Sequence, residues 1–367
     1  MPLTVRRPLT TWLLAALACT AVGTAALLTV GVTGPGQTPN GVRWPWLELW
    51  VRWDAGWYQG IADRGYEFSA TAQSSVAYFP LYALAVKALA GLGLDTFVAG
   101  IVATWVFGAA AFVVFLAWAK QVAGEALAQR ALLALALWPF AFFLYGAIYS
   151  DALFLLLVCG AFLALEKDRL ALAIALGALA TATRPLAPAV VLGLLARHLE
   201  RRRGQPFTLS SLAPLLSGAG LAAYMGYLGW RFGDPVAFAT TQVGWGQLSG
   251  PASFLKYGAL SELHGDQLVL PAFHAALAVG FLALAWRARR TLGLGYAVFA
   301  AAVVGIPLVT SRDFIGLGRY CLAAAPCFVE LARLMAPRPR AWAAWAGVSA
   351  LLLLWMTMRF ATGRYIS

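Results

Sequence analysis

The stretch that decides the fold is FVAGIVATWVFGAAAFVVFLAWA, residues 97 to 119, which contains no charged side chain. A helix needs about 20 apolar residues to cross the hydrocarbon core of a bilayer, and this stretch is long enough. The whole chain has the same character, since 61% of its 367 residues are hydrophobic and only 11% are charged. Such a composition excludes an ordinary soluble enzyme and predicts an all-α polytopic membrane protein.

Similar apolar runs recur along the chain. They lie at residues 12–32, 130–149, 151–166, 169–182, 186–199, 211–231, 268–286, 292–310, 320–335 and 341–360. If each run crosses once, the chain forms one transmembrane domain over residues 1–367, with about 11 transmembrane helices. The same division predicts a large first extracytoplasmic loop at about 33–96, carrying juxtamembrane helices, and a later one at about 232–267.

The basic residues are sorted by side under this topology. With Arg6 and Arg7 in the cytoplasm, the cytoplasmic loops receive the basic clusters at 197–203 and 287–290, and the outer loops are nearly balanced in charge. The net charge of +12 therefore indicates an orientation in a membrane rather than a nucleic-acid partner. The N-terminus is expected in the cytoplasm and the C-terminus outside.

Two segments are interpreted so that this sorting holds. Residues 78–93 are apolar enough to cross, but a crossing there would invert every later loop, so we expect a helix on or in the outer leaflet. Residues 169–199 could form one long helix, but we expect a break at Thr183-Arg184-Pro185, because proline disrupts a helix. Both basic ends then face the cytoplasm.

The outer loops hold the candidate chemical groups. Asp54 lies among tryptophans and tyrosines, which would partly desolvate its carboxylate and suit a general base. The alternative is an interfacial aromatic belt with a solvated acid. Asp151 falls at an outer turn, where it could act in the site or simply begin the next helix.

Arginines accompany these acids at the outer membrane edge. Arg184 stands beside Pro185, and Arg319 precedes Tyr320 at the start of a crossing. Their planar guanidinium groups match phosphate oxygens, although each could be a side chain that only reaches toward the headgroups. The four cysteines lie in apolar runs and the three histidines form no metal motif, so no metal or cofactor is expected.

Several blocks resemble one known family. In the first loop these are VRWDA at 51–55, IADRGY at 61–66 and YFPLY at 78–82; YSDALF at 149–154, TRP at 183–185 and Arg319-Tyr320 with Pro326 follow in order. Together they are similar to the PIG-V family, the family of the second GPI mannosyltransferase, which has many bacterial relatives. Asp151 departs from the usual glutamate of the family, and Pro185 stands where asparagine or glycine often follows the arginine.

The resemblance implies a GT-C glycosyltransferase, a multi-spanning enzyme whose active site faces away from the cytoplasm, here in the cell membrane. The donor would be a sugar, typically mannose, on a polyprenyl phosphate. The acceptor would be a hydroxyl group of a lipid, a glycan or a protein, attacked with inversion at the anomeric carbon.

The resemblance assigns a role to Asp54, and the chemistry of the neighbouring residues suggests the other roles. Asp54 matches the acid of the family's first loop and would be the general base, with Asp151 orienting the base or the acceptor. The candidates for binding the donor phosphate are Arg184, Arg319, Arg52 and Lys87. The candidates for stacking on the sugar or the acceptor are Trp53, Trp57, Tyr58, Tyr78 and Tyr320, which could equally be interfacial anchors.

Two rival functions remain open from the sequence. A transporter or lipid flippase would also explain the crossings and the ionisable residues, but such proteins often carry paired broken helices, and only the break around Arg184 is evident. A structural or assembly subunit would tolerate substitution of Asp54 and Arg184.

Overall fold

The computed structural model describes residues 3–35, 42, 44–247, 269–312 and 316–364. It is 77% helical and has no strand in these residues, which confirms the all-α prediction. The helices of the described chain are α1 (Leu3–Val30), α2 (Pro45–Glu48), α3 (Ala55–Arg64), α4 (Pro80–Ala90), α5 (Thr96–Ala123), α6 (Glu125–Ala136), α7 (Asp151–Glu166), α8 (Leu170–Thr181), α9 (Ala187–Arg201), α10 (Ala219–Phe232), α11 (Ala237–Thr240), α12 (Val269–Thr291), α13 (Leu294–Thr310), α14 (Leu317–Ala323), α15 (Ala325–Met335) and α16 (Pro339–Ala361).

Four helical stretches in the described part of the chain are long and apolar enough to cross a membrane. They are Arg6–Val30, Thr96–Ala123, Leu209–Phe232 and Pro339–Ala361. Several of the other predicted crossings form shorter helices, such as α8 and α13. The prediction of about 11 crossings is therefore not confirmed, while the polytopic character is supported.

Residue contacts divide the chain into two compact units. The first comprises Met1–Tyr66, Pro80–Gly160 and Leu331–Ile366, and the second comprises Glu67–Phe79, Ala161–Glu330 and Ser367. The prediction of a single transmembrane domain stays a prediction.

The first unit is built around α1 and α5. Helix α1 packs against α16 and α5, and α3 and α4 pack on the N-terminal half of α5. Helix α5 begins where the sequence places an acid before an apolar run, because the Asp95 carboxylate accepts the N–H groups of Phe97 at 3.0 Å and Val98 at 3.2 Å. This cap fixes the start of the longest apolar helix.

The predicted crossing at 130–149 is wrong as a continuous helix. Helix α6 ends at Ala136, and residues 137–150 follow an irregular path with one 3-10 turn at Ala141–Leu144. Pro139 lies just after the break, and Gly146 has a φ of +155° that other residues rarely adopt. Local backbone preference therefore overrides an apolar pattern that is otherwise typical of a membrane helix.

The irregular segment satisfies its carbonyl groups with side chains of the same unit. Trp12 Nε1 donates to the Leu144 carbonyl at 2.9 Å, and Trp105 Nε1 donates to the Tyr145 carbonyl at 2.9 Å. Thr104 Oγ1 donates to the Ala147 carbonyl at 2.9 Å. Irregular backbone at membrane depth is tolerated only where protein groups replace the missing helical bonds, and these donors supply that replacement.

In the second unit the predicted break in 169–199 is confirmed. Helix α8 ends at Thr181 and α9 begins at Ala187. Arg201 pairs with Glu166 at 2.7 Å and with Asp168 at 2.6 Å, so the far end of α9 returns to the residues that precede α8. One continuous helix would separate these groups by about 45 Å over its 30 residues and is excluded.

The same end of the second unit collects further predicted cytoplasmic residues. The hydroxyl of Tyr296 donates to Glu166 at 2.7 Å, and the Leu294 N–H donates to Glu200 at 2.9 Å. Arg197 bridges Glu166 at 2.6 Å and Glu200 at 2.7 Å. Three loops that were assigned to the cytoplasm thus meet, as the charge sorting requires; the side of the membrane stays a prediction.

The two predicted outer loops are only partly described. Residues 36–41 and 43 of the first loop and 248–267 of the later loop lie outside the described residues. Helix α4, which fills most of the segment 78–93, has 11 residues and is about 16 Å long. It is too short to cross the bilayer, as we expected, and its position in the outer leaflet stays a prediction.

Candidate functional site

Asp54 lies at the start of α3, directly after a residue with strained backbone. The preceding Trp53 has a φ of +54°, in the left-handed region, which costs a non-glycine residue about 1–3 kcal/mol and clusters at functional sites. Asp54 occupies the N-cap position of α3, but its side chain makes no capping hydrogen bond there. The side chain is half-buried at this position.

Hydrogen bonds connect this loop to the second acid of the sequence. The Asp54 N–H donates to the Tyr149 hydroxyl at 3.2 Å, and the Tyr58 hydroxyl donates to Ser150 Oγ at 3.0 Å. Asp151 follows directly as the first residue of α7 and is 4% exposed. The structure thus brings together two sequence blocks that are about 90 residues apart.

Two buried tyrosines, Tyr58 and Tyr82, pack together next to these residues. The rings of Tyr58 and Tyr82 meet edge to face with their centroids 4.9 Å apart. The Tyr82 hydroxyl, which is fully buried, bonds to the Gly100 carbonyl at 2.9 Å and to Thr104 at 2.7 Å. Tyr58 is also buried, so it cannot belong to a solvated aromatic belt. We name the group Asp54, Tyr58, Tyr82, Tyr149, Ser150 and Asp151 the acid–tyrosine cluster.

The two tryptophans of the loop are more open than the tyrosines. Trp53 and Trp57 are each partly exposed, and they flank Asp54 in sequence. Their position leaves both roles from the sequence possible, stacking on a ligand or anchoring at the interface. Neither is embedded in the buried core of the unit.

The side chain of Arg52 bonds to other parts of the first unit. Its side chain is fully buried; Nε donates to the Ala361 carbonyl at 2.8 Å, and Nη1 donates to the carbonyls of Val51 at 2.8 Å and Glu48 at 3.0 Å. Nη2 pairs with the Glu48 carboxylate at 3.3 Å. Burial lowers the pKa of Arg52, and the charge of Glu48 opposes that shift. These contacts occupy the guanidinium with the loop and the end of α16.

Lys87 is placed away from the acid–tyrosine cluster. It is exposed on α4, whose buried face carries Tyr82, Ala83 and Val86. Among the first unit's predicted site residues, the structure therefore joins Asp54, Tyr58 and Asp151 and sets Lys87 apart.

The predicted phosphate-binding residues of the second unit include one buried arginine. Arg184 lies in the turn between α8 and α9 and is 3% exposed. Its guanidinium carbon is 5.0 Å from the ring centroid of Tyr320, a distance typical of a cation–π contact. Arg319 precedes Tyr320 on α14, and both are partly exposed. Two positions about 135 residues apart, Arg184 and Tyr320, are thus in contact.

Tyr78 lies in another part of the second unit. Its ring centroid is 6.2 Å from that of Trp245, in an edge-to-face arrangement. Nearby, the Arg312 N–H donates to the Gln247 side chain at 2.9 Å, and the Arg312 guanidinium lies against Gly246.

Some of these residues were not selected from the sequence. Tyr82, Tyr149 and Ser150 stand within blocks that carried the resemblance, so proximity to Asp54 and Asp151 was an available signal. Trp245 and Arg312 lie in two separate segments without any recognised motif, and only the fold places Trp245 beside Tyr78 and Arg312 beside Gln247. In the described part of the chain no group of three His, Cys, Asp or Glu side chains could hold a metal ion.

Comparisons with known proteins give a limited result. No family model matches the chain, and no curated protein matches it. The resemblance to the PIG-V family therefore stays a prediction.

Among solved structures, two archaeal ones show some likeness to this chain. The oligosaccharyltransferase AglB from Archaeoglobus fulgidus, in complex with an inhibitory peptide and a dolichol-phosphate, is 13% identical, with a TM-score of 0.48 over 97% of this chain and 55% of that one. The same organism's oligosaccharyltransferase in complex with zinc and sulfate is 13% identical, with a TM-score of 0.47 over 97% of this chain and 53% of that one. The chain spans about half the length of these proteins.

Proposed function

We propose that this chain is a membrane glycosyltransferase of the GT-C type that transfers a sugar from a polyprenyl phosphate to an acceptor hydroxyl. The observation that carries the proposal is the pair of hydrogen bonds from Asp54 to Tyr149 and from Tyr58 to Ser150. They connect the backbone at the half-buried Asp54 to the residues that directly precede the buried Asp151. The residue before Asp54, Trp53, has a φ of +54°, and strained backbone of this kind clusters at functional sites.

In the proposed reaction Asp54 accepts the proton of the acceptor hydroxyl. The hydroxyl oxygen forms a bond to the anomeric carbon while the bond from that carbon to the phosphate oxygen breaks, which inverts the anomeric centre. The polyprenyl phosphate leaves with the electron pair and needs neutralisation of its charge rather than a proton. Asp151, buried beside Ser150, would orient the loop or the acceptor.

Arg184 and Arg319 are the proposed ligands of the leaving phosphate. An arginine remains charged inside a protein, and its planar fork matches two phosphate oxygens. Arg184 lies in a turn between two apolar helices, with the Tyr320 ring against it. Arg52 is not included, because its donors already serve Ala361, Val51 and Glu48.

The sugar, the side of the membrane and the acceptor are each proposed on different grounds. The sugar is proposed as mannose because of the sequence resemblance alone. The extracytoplasmic location is proposed from the sorting of basic residues, and the acceptor is a lipid, a glycan or a protein hydroxyl. Trp53, Trp57, Tyr58, Tyr78 and Tyr320 are proposed to stack on the sugar or the acceptor.

The test is the release of labelled polyprenyl phosphate when detergent-purified protein is mixed with polyprenyl-phosphate mannose and an extract of membrane acceptors. Asp54→Asn should lower the rate at least about 100-fold, which is the lower range for general-base catalysis. Asp63→Asn is the matched control: it removes the same charge from an exposed side chain of α3 that only accepts hydrogen bonds from Gln59 and Thr96.

The outcomes separate the candidate functions. Near wild-type release by Asp54→Asn would show that this residue is not the base. No release by the wild type, together with movement of labelled lipid between the leaflets of proteoliposomes, would favour a flippase. Equal loss in Asp54→Asn and Asp63→Asn would indicate a general effect of charge in the loop.

A further inference from the structure

A cavity at the start of α1 is not explained by sugar transfer. It has a volume of about 350 Å³ and lies between α1 and α6 in the first unit. Its lining is Arg6, Arg7, Thr10, Thr11, Leu14, Gln129, Leu132 and Leu133. The positive-inside rule places this end of α1 in the cytoplasm, the side opposite to that proposed for the acid–tyrosine cluster.

The polar part of the cavity is positively charged. Arg6 and Arg7 are both exposed. The hydroxyls of Thr10 and Thr11 donate to the helix carbonyls one turn earlier, at 2.7 Å and 2.9 Å, which leaves their oxygens able to accept but not to donate. The guanidinium groups are therefore the main donors toward a ligand.

One carboxylate lies near the cavity, and it is already paired. Glu125 forms an ion pair with Lys120 at 2.8 Å and accepts the Gln129 amide at 2.7 Å. The hydrogen bond from Lys120, followed by that from Gln129, lowers the pKa of Glu125, and the charge of Arg7 contributes in the same direction. With Arg6, Arg7, Lys120 and Glu125 counted together, the site still carries an excess of positive charge.

The rest of the cavity is apolar and continues into the lipid-facing surface. Leu14 is 63% exposed and Leu133 is 42% exposed. Leu17, one turn further along α1, is 56% exposed. The cavity thus has two arginines at one end and exposed leucines at the other. With this end of α1 in the cytoplasm, the arginines would lie at headgroup depth and the leucines nearer the hydrocarbon core.

We propose that this cavity binds an anionic glycerophospholipid. The lipid phosphate would lie between the guanidinium groups of Arg6 and Arg7, and an acyl chain would lie along Leu14 and Leu133. Basic pockets between membrane helices on the cytoplasmic side suit such headgroups. A zwitterionic lipid fits less well, because its ammonium group would meet the same two arginines.

The test is native mass spectrometry of the protein released from micelles containing either phosphatidylglycerol or phosphatidylcholine. The wild type should retain phosphatidylglycerol in preference. Since each basic residue near an anionic headgroup contributes about 1 kcal/mol, the double variant Arg6→Gln/Arg7→Gln should weaken retention roughly 10- to 30-fold. The matched control is Arg338→Gln/Arg340→Gln, which removes two exposed arginines of the same unit outside the cavity.

A second variant tests the shape of the site. Leu133→Trp fills the cavity and keeps both arginines, so it should also reduce retention of phosphatidylglycerol. Thermal unfolding of each variant shows whether it remains folded, and the exposed positions make this the expected result.

Three outcomes would overturn the proposal. Equal retention of the two lipids by the wild type would remove the preference for anionic headgroups. Equal weakening by the control pair would indicate attraction to net charge only. Complete displacement of the lipid by inorganic phosphate would indicate a site for the free anion. Sugar transfer can be intact in each case, so failure here is distinct from failure of the proposed enzyme.

Discussion

Arg52 should hold the first loop to the last helix, and Arg52→Met tests this directly. The Ala361 carbonyl that it bonds is at the end of α16, where the last carbonyls of a helix have no partner within the helix. A cation at this end also interacts favourably with the helix dipole. The bond links residues that are 309 positions apart in sequence.

The expected loss follows from the contacts removed. Arg52→Met leaves the buried Ala361 carbonyl without this donor and removes the partner of Glu48. Each loss costs about 1–3 kcal/mol, so the total is about 4 kcal/mol. Because the entropy of unfolding is about 2 cal/mol/K per residue, this loss in a chain of 367 residues lowers the unfolding midpoint by about 5 °C.

The chain supplies its own reporter for the measurement. Cys19, Cys159, Cys321 and Cys327 are free and buried, so a thiol-reactive fluorophore reacts as the protein unfolds. Arg64→Met is the matched control, because Arg64 is an exposed arginine at the end of α3, and its midpoint should stay within about 1 °C of wild type.

One result would refute this reasoning. If Arg52→Met unfolds at the wild-type temperature but has lost sugar transfer, Arg52 acts on the donor, as the sequence alone suggested. A lowered midpoint with proportionate loss of activity supports the structural role.

Two further changes test the packing and the charge network. Gly146→Ala should destabilise the protein by about 2–3 kcal/mol. Its Cβ would come within 2.6 Å of the buried Trp50 indole, and the backbone there has a φ of +155°. The control is Gly226→Ala, where a Cβ meets no atom within 4 Å; it should show no loss of stability in the same thiol-unfolding assay. Glu200 has a lowered pKa, because burial opposes its charge but the N–H of Leu294 and neighbouring donors outweigh it. Its contribution is therefore present above the ordinary value of 4.5 and is lost as the pH falls through the lowered pKa. Glu200→Gln should be less stable at pH 7 and should lose less stability between pH 5 and pH 3 in melts followed by circular dichroism, and identical pH profiles would contradict this.

Apolar length and charge sorting predicted much of the fold. The break at residues 183–185 was predictable because a proline follows an arginine there and because both flanking basic clusters had to face one side. The pairs of Arg201 with Glu166 and Asp168 show the physical basis of that inference. The sequence was sufficient to predict this break, because proline disrupts a helix at its own position and the charged residues stand at the two ends of the segment.

The irregular segment after α6 could not be predicted in the same way. Residues 137–150 are apolar, and a pattern of hydrophobicity does not show where side chains from other helices can replace backbone hydrogen bonds. The donors Trp12, Thr104 and Trp105 come from α1 and α5, so their role depends on tertiary packing.

The candidate site was partly predictable. Asp54 and Asp151 were selected from aromatic context and order, and the structure adds the bridge through Tyr149 and Ser150. Arg52 illustrates the converse. Its position beside Asp54 suggested chemistry, but the partner that occupies it, Ala361, lies at the opposite end of the sequence.

The side chains that donate hydrogen bonds to residues 137–150 also affect the order in which the first unit can fold. Trp12, Thr104 and Trp105 precede residues 137–150 in the chain, so α1 and α5 are synthesised before the carbonyls of Leu144, Tyr145 and Ala147 that they bond. A bare carbonyl in lipid would cost several kcal/mol. Each donor is therefore synthesised before its acceptor. This part of the first unit can fold in the order in which its residues leave the ribosome.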